Sequence, residues 1–309
     1  MQPRRIALFS FFIAFPFVSP TGAQLSNLDV AFSPLADALK RSLAPHRLRQ
    51  SPSDLEVGGD LAKLPPETTG YLTHDELAAL PQVTVSVTDD SNFASGTRIS
   101  GVPLGDLAKL LGASPESEMV VAICDDQYQA AYPRAYLALH RPILVIRVNG
   151  QSPAGWPKDA QDHKHDMGPY MISHARFVPA FKVLSHTDEP QIPWGVVRLE
   201  FRTEKAVFDS ITPRGSRAQD AAVQAGYRIA QQNCFRCHNS GLEGGRKSGL
   251  SWEKLAASAV GSPEYFAGYV RNPASKNARA QMPGNPAYDD ATIGALRAYF
   301  QTFDPAAKP

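Results

Sequence analysis

The chain has 309 residues, with 31 Lys and Arg against 30 Asp and Glu, for a formal net charge of +1. A hydrophobic share of 43% and a charged share of 20% describe folded domains, two at this length, and exclude disordered and collagen-like chains. The near-neutral balance gives no reason to expect nucleic acid as a partner, and three cysteines cannot make a disulfide scaffold.

The first residues read as a targeting segment. Arg4 and Arg5 precede an apolar run from Ile6 to Val18, and the small residues Thr21, Gly22 and Ala23 follow. That order predicts a signal peptide over residues 1–23. An N-terminal anchor is the alternative, but the run is short and Pro16 interrupts it. No later stretch approaches the roughly 20 apolar residues of a crossing helix. The mature chain is therefore expected to be periplasmic and to have no transmembrane span.

Residues 24–70 are rich in Pro, Ser and Leu and read as an irregular lead-in with one short helix near Leu35 to Leu43. A first domain is predicted over 71–203, its order most evident from Leu80. Gln82 to Thr88 alternates Val with polar residues, the period of a half-buried strand. Leu104 to Leu111 has helical spacing after the turn Gly101-Val102-Pro103. Met119 to Cys124 and Ile143 to Val148 are apolar, β-branched runs that suit buried strands, and Val196 to Phe201 alternates again. Strands and short helices mix without a βαβ rhythm, so the fold class is α+β with a mixed sheet.

The polar stretch 204–218, with Pro213-Arg214-Gly215-Ser216, reads as a linker that permits the two halves to move. Residues 219–305 then read as wholly helical. Asp220 to Gln232 leads into a Cys pair, and Ser251 can cap a helix over Trp252 to Ser258 with Glu253 in its first turn. Pro263 to Val270 suits a helix with Pro in its first turn, and Asp289 and Asp290 open a last helix over Ala291 to Phe303. Basic residues outnumber acidic ones from Arg217 onward, a bias that could steer docking.

Cys234-Phe235-Arg236-Cys237-His238 is C-x-x-C-H, the attachment motif of c-type haem. Two thiols one helical turn apart can each add to a haem vinyl group, and the adjacent imidazole then lies beneath the iron as an axial ligand. A thioredoxin-like dithiol would expect a βαβ setting, and a zinc site would need further Cys or His ligands, whereas neither follows His238. Beyond residue 216 the sole methionine is Met282, in Gln281-Met282-Pro283-Gly284-Asn285-Pro286, a loop that Pro and Gly hold in a set shape. It is the candidate sixth ligand. The alternative is a Met that merely packs, leaving a five-coordinate iron open to small ligands.

These residues, with Gly226-Tyr227, Gly244-Gly245, Arg271-Asn272-Pro273 and Leu296-Arg297-Ala298-Tyr299, make the last 90 or so residues resemble a class I cytochrome c. The resemblance implies an all-α cytochrome c fold with one covalent haem c, in which Gly226 lets the first helix cross the last near Tyr299. The family's Gly-Pro-x-Leu loop, whose Pro carbonyl accepts the proximal His N–H, is replaced here by Lys247-Ser248-Gly249-Leu250. The resemblance then implies that Ser248 supplies that carbonyl.

In the first domain, the Val83 to Thr88 strand, the Gly101-Val102-Pro103-Leu104 turn and helix, and the Val120 to Cys124 strand resemble the molybdopterin-binding domain of the sulfite oxidase family. Asp126-Gln127-Tyr128, Pro133, Ile143 to Gly150 and Gly168-Pro169-Tyr170 extend the likeness. In that family a single Cys, placed just after the strand that precedes the Gly-Val-Pro-Leu turn, ligates molybdenum. Here the place reads Asp89-Asp90-Ser91-Asn92, so molybdopterin is not expected. Cys124, at the end of a later strand, reads as a small buried hydrophobe. His163, His165, Asp166, Met167 and His174 could together hold copper or zinc, but the charged run from Asp159 to Asp166 reads as a solvated loop. Arg134, Arg141 and Arg147 read as surface residues unless a pocket gathers them onto an anion.

The function expected is an exported monohaem c-type cytochrome that exchanges electrons with a redox partner protein, a dehydrogenase or a terminal oxidase chain. Its N-terminal module would dock or bind ligands and would not itself be an enzyme. The alternatives are a sulfite-dehydrogenase-like molybdoenzyme with a fused haem c acceptor, and a haem-based sensor in which Met282 can leave the iron.

Overall fold

The structure is a computed structural model that describes residues 43–87, 90, 92–117, 119–158, 165–174 and 191–304. The expected signal peptide, the helix expected near Leu35 and His163 lie outside these residues. No helix among the described residues is long and apolar enough to cross a membrane.

The N-terminal half is a mixed sheet. Its nine strands among the described residues are β1 (Leu55–Gly59), β2 (Thr69–Leu72), β3 (Val83–Val87), β4 (Thr97–Pro103), β5 (Met119–Cys124), β6 (Gln129–Pro133), β7 (Ile143–Val148), β8 (Tyr170–Ser173) and β9 (Trp194–Arg202). They run β2-β1-β9-β8-β7-β4-β3, with β5 joining β9 and carrying β6. Every pairing is antiparallel except β1 with β9. β9 is the hub because it is long enough to pair with β8 at its start and with β1 and β5 further on. Three short helices cover the sheet: α1 (His74–Ala78), α2 (Leu104–Leu110) and α3 (Arg134–His140). Thr73 starts α1 with a capping box, its hydroxyl accepting the Glu76 N–H while the Glu76 carboxylate accepts the Thr73 N–H.

The predicted lead-in over 24–70 is overturned at its C-terminal end, where β1 and β2 already belong to the sheet. Leu55 and Val57 are fully buried, but two glycines follow within two residues, which leaves too short an apolar alternation to stand out in the sequence.

The second half is helical: α4 (Glu204–Phe208), α5 (Ala221–Ile229), α6 (Trp252–Gly261), α7 (Pro263–Arg271), α8 (Pro273–Lys276) and α9 (Asp290–Gln301). Asp289 caps α9, accepting from the Thr292 N–H at 2.8 Å. Ser251 stands at the N-cap of α6, yet its side chain makes no capping bond, contrary to expectation. Helices α5 and α9 cross in close contact at Gly226. A Cβ there would meet the Ala295 carbonyl oxygen at 2.0 Å and the Tyr299 Cβ at 2.8 Å.

The stretch 204–218 is not a free linker. Thr203 caps α4 by accepting the Ala206 N–H at 3.1 Å, and a 3-10 turn over Asp209–Ile211 follows. Val207, Phe208 and Ile211 are buried in the core of the helical half. Val207 and Phe208 end the short helix and Ile211 ends the turn after it, all among polar neighbours, which is why polarity alone misleads here.

The two halves share a wall. Along β5, Val120, Ala122 and Cys124 face the sheet's main core, while Met119 and Val121 are buried in the helical core with Ile123 packed beside them. Successive side chains of a strand point to opposite faces, so one strand serves two cores. Truncation of Met119 to Ala is expected to cost about 2–5 kcal/mol. Calorimetry should show that loss in a single transition shared by both halves; two separate transitions, one unshifted, would refute the shared core.

Candidate functional site

Helix α5 does not stop before the cysteines. It widens into one π turn over Ala230–Cys234, and the chain then rounds Phe235, Arg236 and Cys237 to His238. Single π turns of this kind re-aim a helix end and recur at functional positions. Phe235, 4% exposed, anchors the turn in the core, edge-on to Trp252 with ring centroids 5.4 Å apart. Cys234 and Cys237 are half-buried and stand on either side of it.

His238 is 8% exposed, and its Nδ1 lies 2.8 Å from the Leu250 carbonyl oxygen. A carbonyl can only accept, so Nδ1 carries the proton and Nε2 keeps its lone pair for a ligand bond. Burial also lowers the imidazole pKa, which holds the ring neutral. The expected partner, Ser248, is displaced by Leu250. The Ser248 N–H donates to the Cys237 carbonyl at 2.9 Å, and the Ser248 hydroxyl accepts the Leu250 N–H at 3.2 Å. That tight turn swings the next carbonyl onto the imidazole. A backbone acceptor leaves no residue-type signature, so no motif could have found Leu250.

Gly244 and Gly245 let this loop lie against the cysteine turn. A Cβ on Gly245 would meet the Arg236 carbonyl oxygen at 1.7 Å, and Gly244 holds φ at +86° beside the Phe235 ring. Met282 is half-buried and packs on the same core as Cys234. Its loop is pinned by the Asn285 N–H on the Val270 carbonyl at 3.0 Å, and Tyr288 links it to Asn233 beside Cys234. Two thiols one turn apart, a neutral buried imidazole with Nε2 available, and a thioether on the same core form a donor set that fits haem c.

The sheet reaches this site directly, which the sequence did not suggest. The turn between β5 and β6 lies against the cysteine loop, with the Gln129 N–H on the Arg236 carbonyl and the Arg246 N–H on the Gln127 carbonyl, both at 2.9 Å. Lys247 pairs with Asp126, and Arg202 of β9 forms a two-pronged ion pair with Glu243 at 2.7 and 2.9 Å. Buried Gln191 bonds both the N–H and the carbonyl of Ala131 and donates to the Gln232 side chain at 2.9 Å, inside the π turn.

Among the described residues, the other candidates of the first domain do not converge. His165 is exposed and stacks on Trp194, Asp166 pairs with Lys158, and Met167 is fully buried in a satellite core. His174, 2% exposed, instead meets Tyr136 with its Nε2 3.0 Å from the hydroxyl. Its neighbour Ser173 donates to buried Asp90 at 2.5 Å. Arg134, Arg141 and Arg147 are exposed. Cys124 is 2% exposed, and burial pushes its thiol pKa well up.

Burial, with His140 nearby, lowers the pKa of His174 to about 3. The unfolded chain takes up a proton here near the ordinary value of about 6.5, whereas the folded chain refuses it until about 3, so stability falls as pH drops through that window. His174→Gln keeps an acceptor for Tyr136. Urea titrations should show it removing about 1.4 kcal/mol of stability loss per pH unit between roughly pH 6 and 4.

Residues 221–300 match the family model described as cytochrome C oxidase, cbb3-type, subunit III, so the C-terminal region is a cytochrome c domain. No curated protein matches the chain. Among solved structures, it is similar to the sulfane dehydrogenase SoxCD from Paracoccus pantotrophus, at 16% identity and a TM-score of 0.34. The match covers 56% of this chain and 45% of that one, a likeness too slight to carry the fold or the chemistry of the sheet domain.

Proposed function

We propose that this protein is an exported, periplasmic c-type cytochrome with a single haem, passing electrons to or from a redox partner such as a dehydrogenase or a terminal oxidase chain. The observation that carries the reading is His238: buried, held neutral, and fixed by the Leu250 carbonyl so that Nε2 is available next to the thiols of Cys234 and Cys237. Cys234 and Cys237 would hold the haem covalently, with His238 and Met282 as axial ligands. Haem c bound there supplies one-electron exchange between ferric and ferrous iron.

The protein's own residues do the rest. The Leu250 carbonyl orients the imidazole and raises its basicity. Phe235, Trp252 and Phe300 form an apolar wall that limits water near the site. The fold of the Met282 loop, fixed from Val270 and Tyr288, holds the thioether in place at no fresh entropic cost during electron exchange.

The sheet domain is read as a non-catalytic docking or ligand-binding module. The competing reading, a molybdoenzyme, requires a thiolate where Asp90 and Asn92 now stand. Cys124 does not fit that role either, because its thiol is buried in the main core.

A reduced-minus-oxidised visible spectrum with metal analysis, on protein matured in a host that attaches haem, tests the proposal. One iron per chain with a haemochrome spectrum and no molybdenum is the expected result, and stoichiometric molybdenum selects the enzyme instead. Met282→Ala should lower the reduction potential and open the iron to carbon monoxide; an unchanged potential removes Met282 from the ligand role. Cys234→Ala or Cys237→Ala should cost stable haem retention, read as loss of haem on acid-acetone extraction.

A further inference from the structure

The loop that orients His238 is held at both ends, and one of its anchors comes from the other domain. On its inner side the Gly245 N–H donates to the Phe235 carbonyl, and Ser248 bonds Cys237. On its outer side, residues Arg246 and Lys247 are bonded to the β5–β6 turn through the Gln127 carbonyl and the Asp126 carboxylate. Three residues further on, the chain presents the Leu250 carbonyl to the imidazole. The same turn reaches the cysteine segment itself, where the Gln129 N–H donates to the Arg236 carbonyl.

Resting on the haem reading above, we infer that Asp126 and Lys247 are positioning residues for the iron: their ion pair fastens the 246–250 loop to the sheet domain and so sets the hydrogen bond between Leu250 and His238. The first domain is thereby part of what determines the reduction potential. A firm Nδ1–H bond to a carbonyl makes the imidazole a stronger donor, which favours ferric iron and lowers the potential. Loosening the loop weakens that bond and raises the potential.

The sign of the shift separates this mechanism from simple charge. Removing an anion near a haem raises its potential by electrostatics, and removing a cation lowers it. If the pair acts by fastening the loop, Asp126→Asn and Lys247→Gln both raise the potential, although they delete opposite charges. The double variant rises no further than either single one. The charge-swapped pair Asp126→Lys with Lys247→Asp returns towards the parent value.

The experiment is spectroelectrochemical titration of the full-length mature protein and these four variants, each first checked for its haemochrome band. Upward shifts in both single variants, with rescue by the swapped pair, support the inference. Shifts of opposite sign, or none, overturn it while leaving the haem reading intact. Absence of the haemochrome band in the parent protein overturns the reading beneath it instead.

Discussion

Strand β5 is the constraint on which the rest depends. Its residues alternate between two cores, Val120 and Ala122 inward to the sheet and Met119 and Val121 outward to the helices, so neither core is complete without the same six residues. A continuous apolar run in a strand means burial on both faces. In an antiparallel sheet the second face is commonly left to solvent. Here it is covered by a cytochrome c domain, and that fixes the β5–β6 turn against the C-x-x-C-H segment.

Much of this was legible in the residues. Met119 to Cys124 and Ile143 to Val148 form strands with the bounds their β-branched runs suggest, and the last helix begins where Asp289 caps it. The cytochrome c domain announced itself because its motif joins two thiols and an imidazole at a spacing with little other use. The strands β1 and β2 were hidden because each is only a few residues long and gains its stability from its neighbours. The interdomain contacts were hidden for a different reason. Two of them join backbone carbonyls and N–H groups, which every residue type carries, and the rest pair side chains far apart in sequence, Asp126 with Lys247, Arg202 with Glu243 and Gln191 with Gln232.

The electrostatics of the junction are distributed in the same manner. Arg49 and Arg198 flank Glu56 on β1, and Arg198 and Arg202 flank Glu200 on β9. Arg202 then reaches Glu243 beyond the sheet. Alternating charges along neighbouring strands pair across the ladder and leave little net field, consistent with a chain whose total charge is near zero. The role of this row is registry more than strength, because partly exposed pairs are individually worth about 1 kcal/mol or less.

Tyr299 carries a consequence for how such a protein can be taken apart. Its phenol is fully buried, donates to the Ile211 carbonyl at 2.5 Å and accepts from the Trp252 indole at 3.1 Å. Ile211 precedes the family-matched segment by ten residues, so the folded helical unit is larger than the matched segment. A fragment begun at residue 219 would keep the phenol and lose its acceptor, at about 1–3 kcal/mol for a stranded buried donor. It would also leave a notch where Val207, Phe208 and Ile211 had packed. Portability between proteins therefore belongs to the longer piece that starts at the Thr203 cap, and grafts cut at the motif's edge would inherit the wound.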